Sequence, residues 1–573
     1  MKNTNPMLLT DFYKTIHHKC YADGMTKLVS YWTPRMTRTK ENEVVMFGLQ
    51  GFIKKYLIDY FNDNFFNLPK AQVIADYKRV ISYSMGAEHA DTLHIERLHD
   101  LGYLPIEINA VEEGTLVPIK VPMFSITNTH DDFAWLVNYL ETIISCHVWL
   151  PITSATTGHA FRKIMNKYYE KTVVDGNVEM SCGDFSMRGM SCLESAESSS
   201  SGHLLSFKGS ATIPAILYLE KYYNCELGKD IIGLGTPSTE HSVMCSYGRW
   251  AEIDGYKRLI NEVYPNGILS IVSDTYDYWS LIEHTLPILK DDILKRDGKI
   301  VIRGDSGDPV KIICGSCEIT DLENDKYCKT LEECKRYMKD CLVEEISNDT
   351  PHGECGSDEN TGIFKFQGKY YEMIIDLEWN RYDKQYYYID RSSIKSCKEV
   401  ELTLEQKGTV EALWDLFGGT INAKGYKVLD SHIGCVYGDS ITLDRAEDIC
   451  GQLTRKGFAT NNVVLGIGSF TYNMVSRDTY GFCLKGTHAV INGKEVQIFK
   501  DPKSDSGNFK KSQKGMCVVF KDENNIISCK DELTINQAKN YEGNLLKVIF
   551  ENGEMKSECS LEEIRNKLNG GNN

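Results

Sequence analysis

In the segment Ile302-Arg303-Gly304-Asp305-Ser306-Gly307-Asp308-Pro309, an arginine and an aspartate stand two residues apart at the end of a β-branched run. Alternation along a strand lets both side chains project to one face, and Gly307 permits a tight turn behind them. A guanidinium beside a carboxylate suits a ligand with polar edges or a hydrated metal ion. The same residues are also what an ordinary strand-to-helix loop uses, with Asp or Ser capping the next helix. Asp274 and Asp277 in Ser-Asp-Thr-Tyr-Asp share that ambiguity.

Other candidates are individually weaker. His241 adjoins Glu240, a pairing that can tune an imidazole for proton or phosphoryl transfer, although most single histidines are structural. Gly466 to Ser469 follows an apolar strand, where amides left bare by small residues can cradle a phosphate. Lys485, Lys500, Lys510 and Lys511 gather toward the carboxyl end of an acidic chain, which fits recognition of phosphate or pyrophosphate and equally a solvated lysine-rich surface. Cys314 and Cys317 have a zinc-ligand spacing, but no second pair follows at matching distance, and Cys328, Cys334 and Cys341 are irregular.

The elements that must position these residues recur from about residue 265 onward: a short β-branched run, a polar turn, then a helix-compatible stretch. Four such units begin after Gly267, Lys299, His432 and Asn461. This is the pattern of parallel strands joined by crossover helices. In a closed barrel of that kind, the loops after the strands meet on one face and form a single pocket; an open doubly wound sheet also satisfies the pattern. A stretch rich in Cys, Asp, Glu and Tyr at about 314–399 interrupts it and reads as an inserted subdomain. The first 150 residues and the last 80 or so are of mixed character, with a terminal helix over 560–568 capped by its serine. The expected division is 1–150 and 491–573 as two parts of one mixed domain, with 151–490 as the catalytic domain.

Composition bounds the reading. A chain of 573 residues, 42% hydrophobic and 25% charged, can bury a large core and is not disordered. Its 80 acidic against 64 basic residues give a net charge of -16, which argues against a surface built for nucleic acid or an anionic membrane. An anionic substrate must therefore meet a local basic pocket. The amino terminus lacks an export signal, the apolar stretch at 135–150 is broken by Asn138, Glu141 and His147, and the 19 cysteines are irregularly scattered. A soluble cytoplasmic protein with reduced thiols is the expectation.

Taken in order, the motifs TDFYK, SYW followed by Arg35, FGLQ, DFSMRG, SFKGSAT, TEHS, SDTYD, RGDSG, YGD, SRD and FKDP resemble those of the nicotinamide phosphoribosyltransferase family, among the type II phosphoribosyltransferases. The resemblance runs from about Leu8 to the last helix and excludes the Cys-rich insertion. It implies an α/β fold with an irregular (β/α) barrel plus a mixed α+β domain formed from both chain ends. It also implies a homodimer with shared active sites, in which the pyridine ring of nicotinamide is sandwiched between Phe185 and Tyr13 of a second copy. Arg303 matches the arginine beside the base, and Asp274 and Asp305 match acids lining the base, ribose and metal region. Arg35, Arg188, Arg477, Lys485, Lys500 and Lys510 match positions that hold the phosphates of phosphoribosyl pyrophosphate. Gly438, Asp439, Gly468 and Ser469 match the ribose and 5′-phosphate loops, and Ser270 is counted with the substrate-binding residues.

The implied reaction is displacement of pyrophosphate by the base nitrogen, with Mg2+ on the leaving group, to make a pyridine mononucleotide for NAD salvage. His241 matches a histidine phosphorylated when ATP hydrolysis is coupled to synthesis, so ATP is expected to stimulate turnover. One departure stands out: Ala211 replaces the family's aspartate, which accepts a hydrogen bond from the nicotinamide amide. Losing that acceptor opens the site to nicotinic acid. Met187 and Ser238 also alter the pocket wall. A GSF turn in place of an all-glycine one leaves room for a larger ribosyl donor, and a non-catalytic ligand-binding relative is the alternative of a different class.

Overall fold

The computed structural model describes residues 4–316, 319–321, 328–348, 355–381, 387–499 and 513–570. The chain divides into two compact units, one of Met1–Ala160, Asp184–Leu234 and Thr471–Asn573, the other of Phe161–Gly183 and Gly235–Phe470. Residues 184–234, which sequence pattern grouped with the catalytic domain, thus cluster with the chain ends.

In the first unit both chain ends build one antiparallel sheet of seven strands. Within it Met25–Thr33 pairs on one side with Phe124–Asn128, the middle strand, and on the other with Cys483–Ile491. Leu28, Val29, Tyr31 and Trp32 are all buried there. The Trp32 ring stacks on Phe124 and on Phe482 at centroid distances of 5.8 and 5.5 Å, joining amino- and carboxyl-terminal strands through apolar burial. The helix Leu561–Asn569 is capped by Ser560, whose hydroxyl accepts the Glu563 amide while the Glu563 carboxylate accepts the Ser560 N–H. From that helix Arg565 donates to the carbonyls of Leu204, Ile231 and Ile232 at 2.6–2.9 Å. Those three bonds show why the segment 184–234 belongs with the carboxyl terminus: a long-range arginine anchor carries no local periodicity.

In the second unit the four strand-turn-helix segments form parallel neighbours, Asn266–Val272, Asp297–Gly304, Ile433–Tyr437 and Val463–Ile467, in that spatial order. Val272 aligns with Arg303, Gly304 with Tyr437, and Tyr437 with Leu465, so the carboxyl ends of all four strands finish at one level. The sheet is α/β as expected and irregular: beyond the named strands, Ser238 extends it through a parallel bridge to Ser270 on Asn266–Val272. The residues that follow these ends are therefore delivered to one edge of the sheet.

The insertion is a small layer of its own. Cys355–Phe366 pairs parallel with Ile319–Asp321 and antiparallel with Lys369–Arg381, which pairs with Tyr387–Val400. The helix Leu331–Asn348 covers it through Cys334, Met338 and Leu342, packed with Phe364, Met373, Ile375 and Leu377. Cys314, Cys328 and Cys334 are buried and not in disulfides among the described residues, while Cys317 lies outside them. The family-like elements on either side are thus continued past a self-contained sheet.

Candidate active site

Each strand end of the second unit contributes a side chain. After Val272 the chain turns at Asp274, after Gly304 at Asp305, after Tyr437 at Gly438 and Asp439, and after Ile467 at Gly468 and Ser469. Asp274 is the hub: one carboxylate oxygen accepts from His241 Nε2 at 3.1 Å and the other from the Asp305 backbone N–H at 3.0 Å. Its side chain is almost fully buried, whereas that of His241 is about half exposed. Because a carboxylate oxygen only accepts, Nε2 carries the proton in this contact, and in the neutral ring Nδ1 then holds the lone pair.

Arg303 is held from two directions. Its Nη1 donates to Ser238 Oγ at 3.1 Å and to the Thr239 carbonyl at 3.2 Å, and its Nη2 lies 3.6 Å from Asp305. Ser270 binds this same segment through its backbone: its N–H donates to the Pro237 carbonyl, and its carbonyl accepts from Thr239 N–H. Ser270 Oγ, Thr275 Oγ1 and Arg303 Nε are buried without a hydrogen-bond partner among the described residues. Orphan polar atoms so close to a strand-end cluster are what a polar ligand would satisfy.

Tyr437 shows how acidic the edge is. Its hydroxyl donates to the Gly307 carbonyl at 2.8 Å, and its pKa is raised by burial first and then by the carboxylates of Asp439, Asp274, Asp305 and Asp308. These acids have different tasks. Asp308 accepts from the Val310 and Lys311 amides at the start of helix Pro309–Cys314, and Asp277 accepts from the Ser280 amide. The capping reading is therefore right for Asp277 and Asp308, while Asp274 and Asp305 face each other through a backbone amide. The glycine turns also approach one another: a Cβ on Gly468 would sit 3.9 Å from the Gly438 carbonyl oxygen, leaving their backbone open to a ligand.

The first unit carries two further groups of candidate residues. In DFSMRG, Asp184 is fully buried and accepts from Ser186 N–H at 3.1 Å, Ser186 Oγ at 2.6 Å and Thr212 Oγ1 at 2.7 Å. The Ala211 amide donates to the Asp184 carbonyl at 2.9 Å. This ties the DFS turn to the SAT turn and leaves Phe185, Met187, Arg188 and Ala211 exposed beside it. Ser210 Oγ is committed to Ser200 Oγ at 3.0 Å and to the Thr212 amide at 3.0 Å, so it is not free to stand in for the missing acid at Ala211. Asp184 was not singled out by sequence; its only sign was a carboxylate at a strand end before an aromatic.

The other group is basic. Tyr13 is more than half exposed on the helix Phe12–Lys19, and its pKa is raised by burial of its remainder and by Asp11 and Glu141, with Arg477 acting in the opposite sense. Arg35, Lys485 and Arg477 all oppose the burial-driven rise of the Cys483 thiol, which places them around one strand. Glu141 joins this group, ion-paired to Lys14 at 2.5 Å and 3.8 Å from Lys485. The structure therefore assembles Tyr13, Arg35, Arg477 and Lys485 within one unit. Lys500 and Lys510 lie outside the described residues.

One unit has parallel strands that end in acids, an arginine and bare glycine turns; the other bears exposed aromatics and a basic cluster, and each set is of the kind an enzyme acting on a phosphorylated sugar uses. The comparisons narrow the class. Residues 180–342 and 381–553 match the Nicotinate phosphoribosyltransferase (NAPRTase) family, and residues 5–108 match the Nicotinamide phosphoribosyltransferase, N-terminal domain. The chain is similar to a nicotinamide phosphoribosyltransferase of Acinetobacter baylyi, 38% identical over 98% of this chain and 97% of that one. It is also similar to one of Xanthomonas campestris pv. campestris, 26% identical over 98% and 97% respectively. A crystal structure of human nicotinic acid phosphoribosyltransferase aligns over 98% of this chain and 93% of that chain at 12% identity and a TM-score of 0.48, too distant to inform individual residues. The chain belongs to the nicotinate phosphoribosyltransferase family. The gap between the two matched stretches, 343–380, falls inside the insertion.

Proposed function

We propose that this enzyme is a nicotinamide phosphoribosyltransferase, which joins nicotinamide to phosphoribosyl pyrophosphate and releases nicotinamide mononucleotide and pyrophosphate. The observation that carries the reading is the strand-end cluster of His241, Asp274, Asp305 and Arg303, in a chain whose motifs and full-length relatives point to one reaction class. In the transfer, the ring nitrogen attacks the anomeric carbon, the bond to pyrophosphate breaks, and the electron pair leaves with pyrophosphate. The developing cation on the ribose favours carboxylates near it, and the leaving anion favours basic groups. Arg35, Arg188, Arg477 and Lys485 supply those basic groups, Gly438, Asp439, Gly468 and Ser469 form the ribose-phosphate turns, and Phe185 and Tyr13 offer faces for a flat ring.

A magnesium ion arriving with the donor would neutralise charge on the pyrophosphate. Asp305 fits as its protein ligand, being partly exposed and only loosely paired with Arg303. Asp274 fits less well, because both of its oxygens are engaged by His241 and the Asp305 amide; its part is to orient those two groups. The His241 Nδ1 lone pair would accept the γ-phosphoryl group of ATP, with ADP leaving, which is the basis for expecting ATP stimulation. We place the enzyme in the cytoplasm as a homodimer with Tyr13 donated across the dimer; among the described residues no helix is long and apolar enough to cross a membrane.

Nicotinic acid is the second reading, favoured by one observation: Ala211 is exposed, and Ser210 is already committed, so no carboxylate acceptor faces the amide from this turn. Asp305→Ala tests the mechanism. Turnover, followed as pyrophosphate release, should fall about 100- to 1,000-fold, the range for removing a group that stabilises transition-state charge, with an unchanged circular-dichroism spectrum. Undiminished turnover would remove Asp305 from the site.

A further inference from the structure

In the first unit one carboxylate reaches two of the candidate groups at once. Glu141 opens the long helix Glu141–Thr172, and its two oxygens have different partners. Oε2 accepts from Lys14 Nζ at 2.5 Å, and Oε1 lies 3.8 Å from Lys485 Nζ. Lys14 follows Tyr13 on the helix Phe12–Lys19, and its Nζ sits 5.5 Å from the centre of the Tyr13 ring. Lys485 belongs to the strand Cys483–Ile491, in the same basic group as Arg35 and Arg477. Glu141 therefore stands between the segment that presents an aromatic ring and the strand that presents a basic side chain.

The two ion pairs differ in kind. The Lys14 side chain is 5% exposed, and Glu141 is its one ion-pair partner among the described residues. A buried ammonium without a counter-charge is strongly unfavourable, so this pair is permanent. Neighbouring contacts reinforce it: Thr142 Oγ1 donates to Asp11 Oδ2 at 2.7 Å, Thr10 Oγ1 to the Tyr139 carbonyl at 3.1 Å, and the Tyr139 hydroxyl to the Met7 carbonyl at 2.6 Å. Residues 139–142 thus grip the stretch 7–14 on both sides of Tyr13. The Lys485 side chain is 43% exposed, and its separation from Glu141 is too long for a hydrogen bond. That pair is exchangeable. An incoming phosphate offers Lys485 a charge-assisted partner, and Lys485 can turn to it while Glu141 keeps Lys14.

We propose that Glu141 is a positioning residue with two arms. Through Lys14 it holds the Tyr13 segment in the orientation that meets the base, and through Lys485 it sets how readily that lysine turns to the phosphates of the donor. The proposal rests on the transferase reading above and goes beyond it, because Glu141 acts through Lys14 and Lys485 and not on a substrate. Its signature is that breaking the Lys14–Glu141 pair from its two ends moves donor affinity in opposite directions. In Glu141→Gln the acid no longer competes for Lys485, so the donor binds more tightly; in Lys14→Met the acid has Lys485 alone, so the donor binds more weakly. Both variants release the Tyr13 segment and weaken the hold on the base.

The test measures KM for phosphoribosyl pyrophosphate and for nicotinamide, each with the other saturating, on the full-length enzyme. The donor KM should fall about fivefold in Glu141→Gln and rise about fivefold in Lys14→Met, the weight of one unit charge a few ångströms away in water. The nicotinamide KM should rise in both, by up to about tenfold, the range for one displaced aromatic contact. In a Lys485→Met background neither substitution should move the donor KM, whereas a through-space effect of charge would persist there. Lys14→Met leaves no unpaired buried charge, so with and without Lys485→Met it carries the same test should Glu141→Gln, which strands the Lys14 ammonium, be too unstable to assay. Both KM values rising together in Glu141→Gln, or a shift in donor KM that persists without Lys485, would overturn the proposal. A parent enzyme that forms no mononucleotide would overturn the transferase reading and this proposal with it.

Discussion

At the scale of single residues, the account turns on two contrasts, each testable by one substitution. Ala211 stands on an exposed turn whose backbone is pinned to Asp184 and whose adjacent hydroxyl is spent on Ser200 and the Thr212 amide. Ala211→Asp should therefore restore an acceptor for an amide and repel a carboxylate, raising the nicotinamide-to-nicotinate ratio of kcat/KM by about 10–100-fold, as expected for 1–3 kcal/mol from one hydrogen-bonding group. Competition between the two bases measures it, and an unchanged ratio would mean that the base does not meet this turn. The second contrast lies within RGDSGD. Asp305 is proposed to act on substrate, whereas Asp308 caps a helix. Asp308→Ala should cost about 1 kcal/mol of stability in chemical denaturation with turnover within a few fold of the parent. A loss of turnover matching that of Asp305→Ala would mean that the two acids were assigned the wrong way round. The sequence made Arg303 and Asp305 visible because their spacing is local. It could not separate Asp274 from Asp277, because one accepts from a neighbouring amide and the other from a histidine 33 residues away.

At the scale of elements, what could be read from sequence was whatever repeats locally. The four strand-turn-helix segments carry period and punctuation, and they do form the parallel neighbours whose ends align. The insertion announced itself by breaking that rhythm, yet its four-stranded sheet was hidden, because long strands with polar alternation resemble irregular chain. The antiparallel sheet of the first unit was legible only as mixed character: its strand Met25–Thr33 pairs with segments about 100 and 450 residues distant, and no local pattern encodes such pairings. The Asp184 turn and the Arg565 anchor escaped for the same reason. Each is a single polar side chain satisfied by partners that the fold brings from elsewhere.

At the scale of the whole molecule, burial of one carboxyl sets a pH dependence of stability. Glu113 is fully buried, and burial pushes its pKa from 4.5 up to about 7, against the opposing pull of the Gln50, Gly48 and Leu49 amides and the Tyr223 hydroxyl. A carboxyl with a raised folded-state pKa holds its proton more tightly folded than unfolded. Stability from this group is thus fully present below about 4.5 and is lost as pH rises through about 7, amounting to about 3 kcal/mol. Glu113→Gln should flatten that part of the stability-pH profile in denaturant titrations; an unaltered slope would show that Glu113 is not its source. The proposed dimer makes a separate claim. Tyr13→Ala and Asp305→Ala chains, each inactive alone, should recover turnover when mixed and refolded together, because one site of each mixed dimer is then intact; no recovery would show that Tyr13 serves its own chain. Most direct for the account as a whole is a mass-spectrometric product assay with magnesium, phosphoribosyl pyrophosphate and either nicotinamide or nicotinic acid, with and without ATP. Nicotinamide mononucleotide as the main product, formed faster with ATP, is the predicted result; nicotinate mononucleotide alone, or no mononucleotide from either base, would contradict it.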